Sequence, residues 1–296
     1  MIRKSFPFLA LGVGLALAAC TPPDPGEAAR KLKGTELAHC CDNAEFYPPP
    51  VMQLADPLMP VLGPVFGNIV FRSGHLEQPE ARSAILAKLQ PMDLLALSSK
   101  NRLSGKTLPG LFGHVVLYLG DEADLKRAGL WDDPAVQPHH AAIRAGQHFI
   151  EADTNGVHLS DASHALATDA LAVLRLRKGC DEAACDARAA FATLGRSYDF
   201  TFDGTDPDKL YCTELAAIGL PGVTMPQRRL YNYDLVLPDD LAALVLARKS
   251  ELKLVSYFAG SETGWAETGR RGMLADLKGW WREAMAPQPL PPRTDH

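Results

Sequence analysis

The segment 210–215, Leu-Tyr-Cys-Thr-Glu-Leu, contains the residue whose type and setting best suit covalent chemistry. Thr205 or Asp206 can cap a helix that has Pro207 at its first position, and an apolar run follows at 215–218. We therefore predict a helix that begins between residues 207 and 211, with Cys212 in its early turns. A thiol near the positive end of a helix dipole is stabilised as the nucleophilic thiolate. The alternative is a buried structural cysteine.

A cysteine nucleophile needs a general base, and His114 is the best placed of the nine histidines. It opens the apolar segment 114–120 directly after a glycine-containing loop, where strand ends commonly border clefts. An ordinary hydrogen-bonded histidine at a strand edge is the alternative. His148 and His158 fit strand positions. His139, His140 and His164 fall in polar stretches, where solvated side chains are expected, and His39 and His296 lie in the linker and the tail.

The base in turn needs a polar group that orients it, and Glu151 is the candidate. We predict that segment 147–152 is a strand that pairs antiparallel with the strand starting at His114, which brings the end of one beside the start of the other. Asp153 and Asn155 are alternatives, because a register slip of two residues keeps a side chain on the same face. Glu151 as a surface carboxylate without a role is the remaining interpretation.

Short strand-like and helix-like segments alternate along the chain and must position these residues. Strands are predicted over 92–97, 114–120, 147–152, 157–159, 170–175, 235–237 and 252–258, and helices over 75–89, 121–130, 161–167, 181–194, 239–248 and 276–285. The Asn-Gly pair at 155–156 predicts a hairpin turn. The pattern indicates an α+β fold, with a mostly antiparallel sheet and helices packed on it.

The first residues are typical of a secretory signal. A basic pair at 3–4 precedes the apolar run 6–19, which is too short to span a bilayer comfortably. The sequence Leu-Ala-Ala-Cys at 17–20 resembles the lipobox of bacterial lipoproteins, so we expect Cys20 to become a diacylated N-terminus. An ordinary signal peptide is the alternative. No aspartate follows Cys20, which favours the outer over the inner membrane.

Charge and cysteine content narrow the class of protein further. The net charge is −5 and no basic block occurs, so nucleic acid is not an expected partner. Besides Cys20 and Cys212, the chain contains Cys40, Cys41, Cys180 and Cys185, which are disulfide candidates in an oxidising periplasm. Cys180 can close on Cys185 or reach back to the Cys40-Cys41 pair, and the sequence leaves the pairing open. No second paired Cys/His set suggests zinc, so no metal is predicted.

Five short segments, taken in order, resemble the permuted papain-like cysteine hydrolases, NlpC-related proteins of the YiiX/YebB type. They are Met-Asp-Leu-Leu at 92–95, Gly-His-Val-Val-Leu-Tyr-Leu-Gly at 113–120, Phe-Ile-Glu-Ala at 149–152 with Gly-Val at 156–157, Tyr-Asp-Phe at 198–200, and Tyr-Cys-Thr-Glu-Leu at 211–215. In that family circular permutation places the histidine strand before the cysteine helix. Met92 stands where the family prefers glycine, and Gly113 where serine often occurs.

The resemblance implies a site and a mechanism. Cys212 would be the nucleophile, His114 the base and Glu151 the third member of an acyl-transfer site that needs no metal or organic cofactor. Backbone N–H groups at the helix start would hold the oxyanion. Tyr211, Tyr198 and Asp93 are candidates for lining the substrate cleft, with structural packing as the alternative for each.

We expect a lipoprotein signal peptide over 1–19, a lipidated tether over 20–50, a permuted papain-like domain over 51–260 and a C-terminal helix and tail over 261–296. Inserts at 121–146 and 160–170 and the extensions after 220 fall outside the resemblance. The expected function is a periplasmic, lipid-anchored cysteine hydrolase acting on amides or esters of cell-wall peptides or acylated substrates. An acyltransferase of the same superfamily and a non-catalytic envelope-binding lipoprotein are the alternatives.

Overall fold

The computed structural model describes residues 56–107, 110–181, 183–202, 204, 206–230 and 233–282. The predicted signal peptide and tether, with Cys20, Cys40 and Cys41, lie outside the described residues, as does the tail after residue 282. Within the described ranges, every helix is too short or too polar to span a bilayer.

A seven-stranded antiparallel sheet forms the centre of the fold. The described residues form this sheet and two smaller strand pairs. Numbered along the chain, the strands of all three are β1 (Asp93–Ser98), β2 (His114–Tyr118), β3 (Phe149–Asp153), β4 (Gly156–Ser160), β5 (Ala170–Leu176), β6 (Ser197–Tyr198), β7 (Lys209–Leu210), β8 (Gln227–Leu230), β9 (Tyr233–Val236), β10 (Leu252–Ser261) and β11 (Gly264–Glu267). Their order across the large sheet is β11-β10-β5-β1-β2-β3-β4. β6 and β7 form a parallel pair, and β8 and β9 an antiparallel one.

Short helices cover both faces of this sheet. They are α1 (Met59–Asn68), α2 (Pro79–Leu86), α3 (Leu103–Thr107), α4 (Glu122–Arg127), α5 (His140–Arg144), α6 (Ala162–Ala165), α7 (Ala187–Phe191), α8 (Cys212–Gly219), α9 (Pro238–Leu246) and α10 (Gly269–Arg282). The antiparallel sheet with packed helices confirms the predicted α+β class.

The central strand β1 shows how the core is divided. All its residues are buried, and alternate side chains enter two apolar clusters. Leu94 and Ala96 join the larger cluster, which includes side chains of α8, α9 and α10. Leu95 and Leu97 join the smaller one, with α2. Burial on both faces explains why β1 is a nearly continuous apolar run in the sequence.

One predicted helix, over residues 181–194, is much shorter in the structure because a disulfide constrains the chain before it. The alanine-rich segment 181–194 is helical only over Ala187–Phe191, and Asp186 caps this short helix by accepting the Ala189 N–H at 2.8 Å. The preceding chain is held in a loop by a disulfide between Cys180 and Cys185. That pairing decides between the alternatives that the sequence left open. Two of the four disulfide candidates, Cys180 and Cys185, are thus paired with each other.

Candidate active site

Cys212 is the first residue of α8, so its amide and side chain lie at the positive end of the helix. The prediction that Cys212 lies in the early turns of a helix is confirmed, but the helix starts one residue after the predicted range of 207–211, with Tyr211 as its N-cap. Lys209 and Leu210 instead pair with β6, and the Asp206 carboxylate accepts the Asp208 N–H at 3.0 Å within a turn. Strand pairing with a distant segment therefore delays the helix, which places the thiol nearer the helix terminus than predicted.

The residues after Cys212 fix α8 in place. The Glu214 carboxylate accepts the backbone N–H of Tyr211 at 3.1 Å, which closes the first turn, and the Thr213 hydroxyl donates to the Val236 carbonyl at 3.2 Å. At the other end, a Cβ on Gly219 would lie 2.5 Å from Cδ1 of Leu117. Glycine at this position thus leaves room for the Leu117 side chain where α8 packs on β2, the strand that begins with His114.

The loop that leads into His114 is anchored by a residue that the sequence interpretation missed. The buried Asp239 carboxylate accepts the N–H groups of Leu111 and Phe112, each at 2.7 Å, and the indole N–H of Trp281. Burial raises the pKa of Asp239 to about 6 although these donors oppose the shift. The start of α9 and the end of α10 thus hold the approach to β2.

His114 connects the thiol to a buried carboxylate. Its Nε2 atom lies 3.0 Å from Oε2 of Glu151, which leaves Nδ1 for the hydrogen bond that the ring makes with Cys212. The predicted antiparallel pairing of β2 and β3 is confirmed, with Leu117 opposite Ile150. Continuing that register by one residue places Glu151 opposite Val116, diagonal to His114 and on the same face.

The negative charges of Cys212 and Glu151 and the positive charge of His114 stabilise one another. Burial disfavours the charged imidazole, but hydrogen bonds with Cys212 and Glu151 and the negative charges of both outweigh it and raise the pKa of His114 to about 10. Burial likewise opposes the Glu151 carboxylate, and the His114 hydrogen bond and charge lower its pKa nevertheless. The Glu151 side chain is 4% exposed and that of His114 is 21% exposed, so the imidazole is the more accessible member of the pair.

Two further polar residues hold the other oxygen of Glu151. The Ser160 hydroxyl donates to Oε1, and Nε2 of His164 lies 3.7 Å from the same atom. His164 is exposed, as expected, with 40% of its side chain accessible, but it also lies beside the Glu151 carboxylate and 3.5 Å from Oδ2 of Asp153. The alternation of β4 does place Ser160 on the same face as Glu151, a signal that was available in the sequence.

Tyr198 and Tyr211 lie beside Cys212, as the resemblance implied. Burial raises the pKa of Tyr198 well above its usual value, and the negative charges of Cys212 and Asp153 add to the shift. Burial, with the Glu214 charge, raises the pKa of Tyr211 to about 12. Both phenols therefore remain neutral hydrogen-bond donors at physiological pH.

These tyrosines belong to an aromatic wall that also includes Phe200 and Phe202. The ring centroids of Tyr198 and Phe200 are 4.9 Å apart, and those of Phe202 and Tyr211 are 5.3 Å apart. Phe200 and Phe202 were not predicted as site residues. A run of alternating aromatic residues at 198–202 was the signal for them.

Asp93 is not part of the cleft. It pairs with Tyr118, whereas Leu97 at the opposite end of β1 pairs with His114. The Asp93 carboxylate is held by Arg175 through two contacts of 2.7 Å and accepts the Gln90 N–H at 2.8 Å. Asp93 therefore has a structural role, as one half of a buried ion pair, which was the alternative to lining the cleft. The antiparallel register places it at the end of β1 that lies away from His114.

The residue before Asp93 explains one departure from the family pattern. Met92 has a φ of 66°, in the left-handed region that favours glycine. This conformation costs a non-glycine residue about 1–2 kcal/mol. Met92 is only 5% exposed and packs in the larger core cluster, so burial of its side chain offsets that cost.

A helix-terminal thiol, a charged imidazole and a buried carboxylate define a cysteine hydrolase of the papain type. The family model Peptidase_C92, described as "Permuted papain-like amidase enzyme, YaeF/YiiX, C92 family", matches residues 88–272, more than half of the chain. The chain belongs to this family of permuted papain-like amidases. No curated protein and no solved structure matches it.

Family membership confirms the predicted resemblance, the permuted fold and the assignment as an enzyme. It disfavours the alternative of a non-catalytic binding lipoprotein. The match continues to residue 272 and so includes the extensions that contain β10, β11 and part of α10. These extensions had been placed outside the family pattern, although Asp239 within them anchors the loop before His114.

Proposed function

We propose that this protein hydrolyses amide bonds through an acyl-enzyme on Cys212, in cell-wall peptides or acylated amides, as a lipid-anchored enzyme of the periplasm. The observation that carries the proposal is the continuous chain of contacts from Cys212 through His114 to Glu151. Two relationships in this chain, a helix-terminal thiol and a ring fixed by a carboxylate, are what thiol activation requires.

The reaction begins with Cys212 as thiolate and His114 as imidazolium. The sulfur attacks the carbonyl carbon, and the carbonyl oxygen takes the negative charge. The amides of Cys212 and Thr213, which have no acceptor within the helix, are placed to bind this oxyanion; one such donor typically contributes about 3 kcal/mol. His114 gives its Nδ1 proton to the leaving amine as the C–N bond breaks. It then takes a proton from water, which attacks the thioester and restores the thiolate.

Glu151 keeps the ring productive during these steps. Because its Oε2 accepts from Nε2 of His114, the ring cannot rotate and Nδ1 stays directed at the sulfur. The negative charge also stabilises the imidazolium that must exist before the amine leaves. Ser160 holds the second oxygen of the same carboxylate.

The aromatic wall supports a substrate that has an apolar portion next to the scissile bond. The rings of Tyr198, Phe200, Phe202 and Tyr211 contact one another and continue directly into the first residue of α8, Cys212. α1 packs on this wall, since a Cβ on Gly63 would lie 2.2 Å from Cδ1 of Phe200. An acyl chain or an apolar peptide side chain would suit this surface.

The location is proposed from the lipobox-like sequence at 17–20 and from the surface of α1. α1 carries no charged side chain, and Val61 and Val65 are 73% and 57% exposed. An uncharged apolar helix of this kind is more stable against lipid than against water.

We propose that α1 contacts the membrane surface that carries the lipidated Cys20. Vesicle co-sedimentation of the unlipidated protein should weaken in a Val61→Ser/Val65→Ser variant; equal binding of both proteins would contradict this contact.

The activity is tested by incubating the mature protein with muropeptides, N-acyl amides and acyl esters, with Cys212→Ala as the matched control. The expected result is a hydrolysis product that requires Cys212 and takes one oxygen atom from ¹⁸O-labelled water. Transfer of the acyl group to an added alcohol without label would indicate the acyltransferase instead. Turnover that persists in Cys212→Ala would refute covalent catalysis at this residue.

A further inference from the structure

The hairpin formed by β3 and β4 gathers a second set of ligand-type side chains next to Glu151. His158 is the ladder partner of Glu151, and His164 follows on α6. One ligand atom from each of these three residues lies within 4.8 Å of the other two. Neither histidine takes part in the acyl-transfer steps, so the mechanism leaves the cluster unexplained.

The separations within this cluster suit a shared cation. Nε2 of His164 lies 3.7 Å from Oε1 of Glu151 and 3.5 Å from Oδ2 of Asp153, and Nδ1 of His158 lies 3.7 Å from Oδ1 of Asp153. Direct hydrogen bonds between such groups are about 2.7–3.2 Å long. Zinc bonds of about 2.0–2.2 Å in tetrahedral geometry separate ligand atoms by roughly 3.3–3.6 Å. The ligand atoms of Glu151, His158 and His164 lie within 4.8 Å of one another, so side-chain movements of about an ångström would bring them to a zinc geometry.

We propose that Glu151, His158 and His164 form a binding site for a zinc-type divalent cation, with Asp153 beside them, and that metal bound there inhibits the enzyme. Imidazole and carboxylate donors match zinc, whereas a magnesium or calcium site would be built from oxygen ligands alone. The cluster is open to solvent on the histidine side, where the His164 side chain is 40% exposed and that of His158 is 28% exposed. Both imidazoles are therefore accessible to a cation from solvent.

Inhibition follows from the position of Glu151 in both groups. Its Oε2 accepts from His114, while its Oε1 faces His164. A divalent cation on Oε1 would neutralise the carboxylate and add positive charge beside the imidazolium. Both effects weaken the ion pair between His114 and Cys212 on which nucleophilic attack depends.

Binding is tested first, by calorimetric titration of Zn²⁺ into the mature Cys212→Ser protein, because the catalytic sulfur would itself bind zinc. We expect one Zn²⁺ per chain, with binding roughly tenfold weaker or more in Cys212→Ser/His158→Gln and in Cys212→Ser/His164→Gln. Cys212→Ser/His139→Gln is the matched control, since His139 stacks on Phe191 instead and its removal should not matter. The visible spectrum of bound Co²⁺ should show tetrahedral coordination. Equal affinity in all of these proteins, or no saturable binding, would overturn the site.

Inhibition is tested by the rate of Cys212 alkylation with and without Zn²⁺. In the otherwise unmodified protein, alkylation without Zn²⁺ should be more than about tenfold faster than alkylation with Zn²⁺. A chelator should abolish this difference, and His158→Gln should reduce it markedly. Undiminished slowing in His158→Gln would mean that zinc acts on Cys212 and His114 directly, which would refute this mode of inhibition. The calorimetric result does not depend on turnover, so it can fail or succeed separately from the proposed amidase activity.

Discussion

Nε2 of His114 lies 3.0 Å from Oε2 of Glu151, although 37 positions separate the two residues. Extending the β2–β3 register places Glu151 diagonal to His114 on the same face of the sheet, within reach of the imidazole. This contact fixes the imidazole relative to α8. It also makes the antiparallel register of two strands a condition for catalysis.

Glu151→Gln tests the charge of the third residue. The amide oxygen can still accept from His114, but it lacks the negative charge that stabilises the imidazolium. Hydrogen bonds to charged groups contribute about 1.5–3 kcal/mol, so we expect kcat/KM to fall roughly 10- to 100-fold. Steady-state kinetics and a thermal melt check this prediction. An unchanged kcat/KM in a folded protein would show that the charge of Glu151 is not used.

The pH profile tests the imidazolium. Because the pKa of His114 is raised to about 10, the ring keeps its proton well above neutral pH and loses it as the pH rises through about 10. The rate of amide hydrolysis should therefore fall as the pH rises through about 10, since the leaving amine then lacks its proton donor. Measurement of kcat/KM between pH 6 and 11 checks this. An alkaline fall near pH 7 would contradict the proposed stabilisation of the ring.

Gly219→Ala tests the approach of α8 to β2. The new methyl would lie 2.5 Å from Cδ1 of Leu117, and overpacking of this kind typically costs about 1–3 kcal/mol. Chemical denaturation should therefore show lower stability, and kcat should fall as Cys212 shifts away from His114. In a Leu117→Val background the clashing atom is absent, so the alanine should cost less. Equal costs in both backgrounds would mean that this contact does not set the helix position.

Asp239→Asn tests the anchor of the loop before His114. The amide group would face at least one of the three N–H donors, and an unsatisfied buried group costs about 1–3 kcal/mol. We expect lower stability together with a lower kcat. The matched control is Asp240→Asn. Asp240 is the neighbouring carboxylate, and it pairs with Arg228 at 2.8 Å instead of with the loop before His114. If both variants lose stability and kcat equally, Asp239 has no specific effect on His114.

Much of the sheet could be predicted because its strands are apolar runs ended by glycine, asparagine or proline. β1 to β5 lie within a few residues of the predicted segments, and strand order then brought His114 and Glu151 together. Contacts between distant parts of the chain could not be predicted in this way. Asp239 bonds to Phe112 across 127 positions, and the pairing of β6 with β7 moved the start of α8 to Cys212. Local pattern does not contain this information.

The most direct test of the account is the pH dependence of Cys212 alkylation, followed by mass spectrometry of the labelled peptide. An ordinary thiol has a pKa near 8.5, and below that value its reaction rate rises about tenfold for each unit by which the pH increases. The ion pair predicts a rate for Cys212 that is nearly constant between pH 6.5 and 9, and a return to the ordinary steep rise in His114→Gln. A steep rise in the unmodified protein, unchanged in His114→Gln, would contradict the central claim that His114 holds Cys212 as a thiolate.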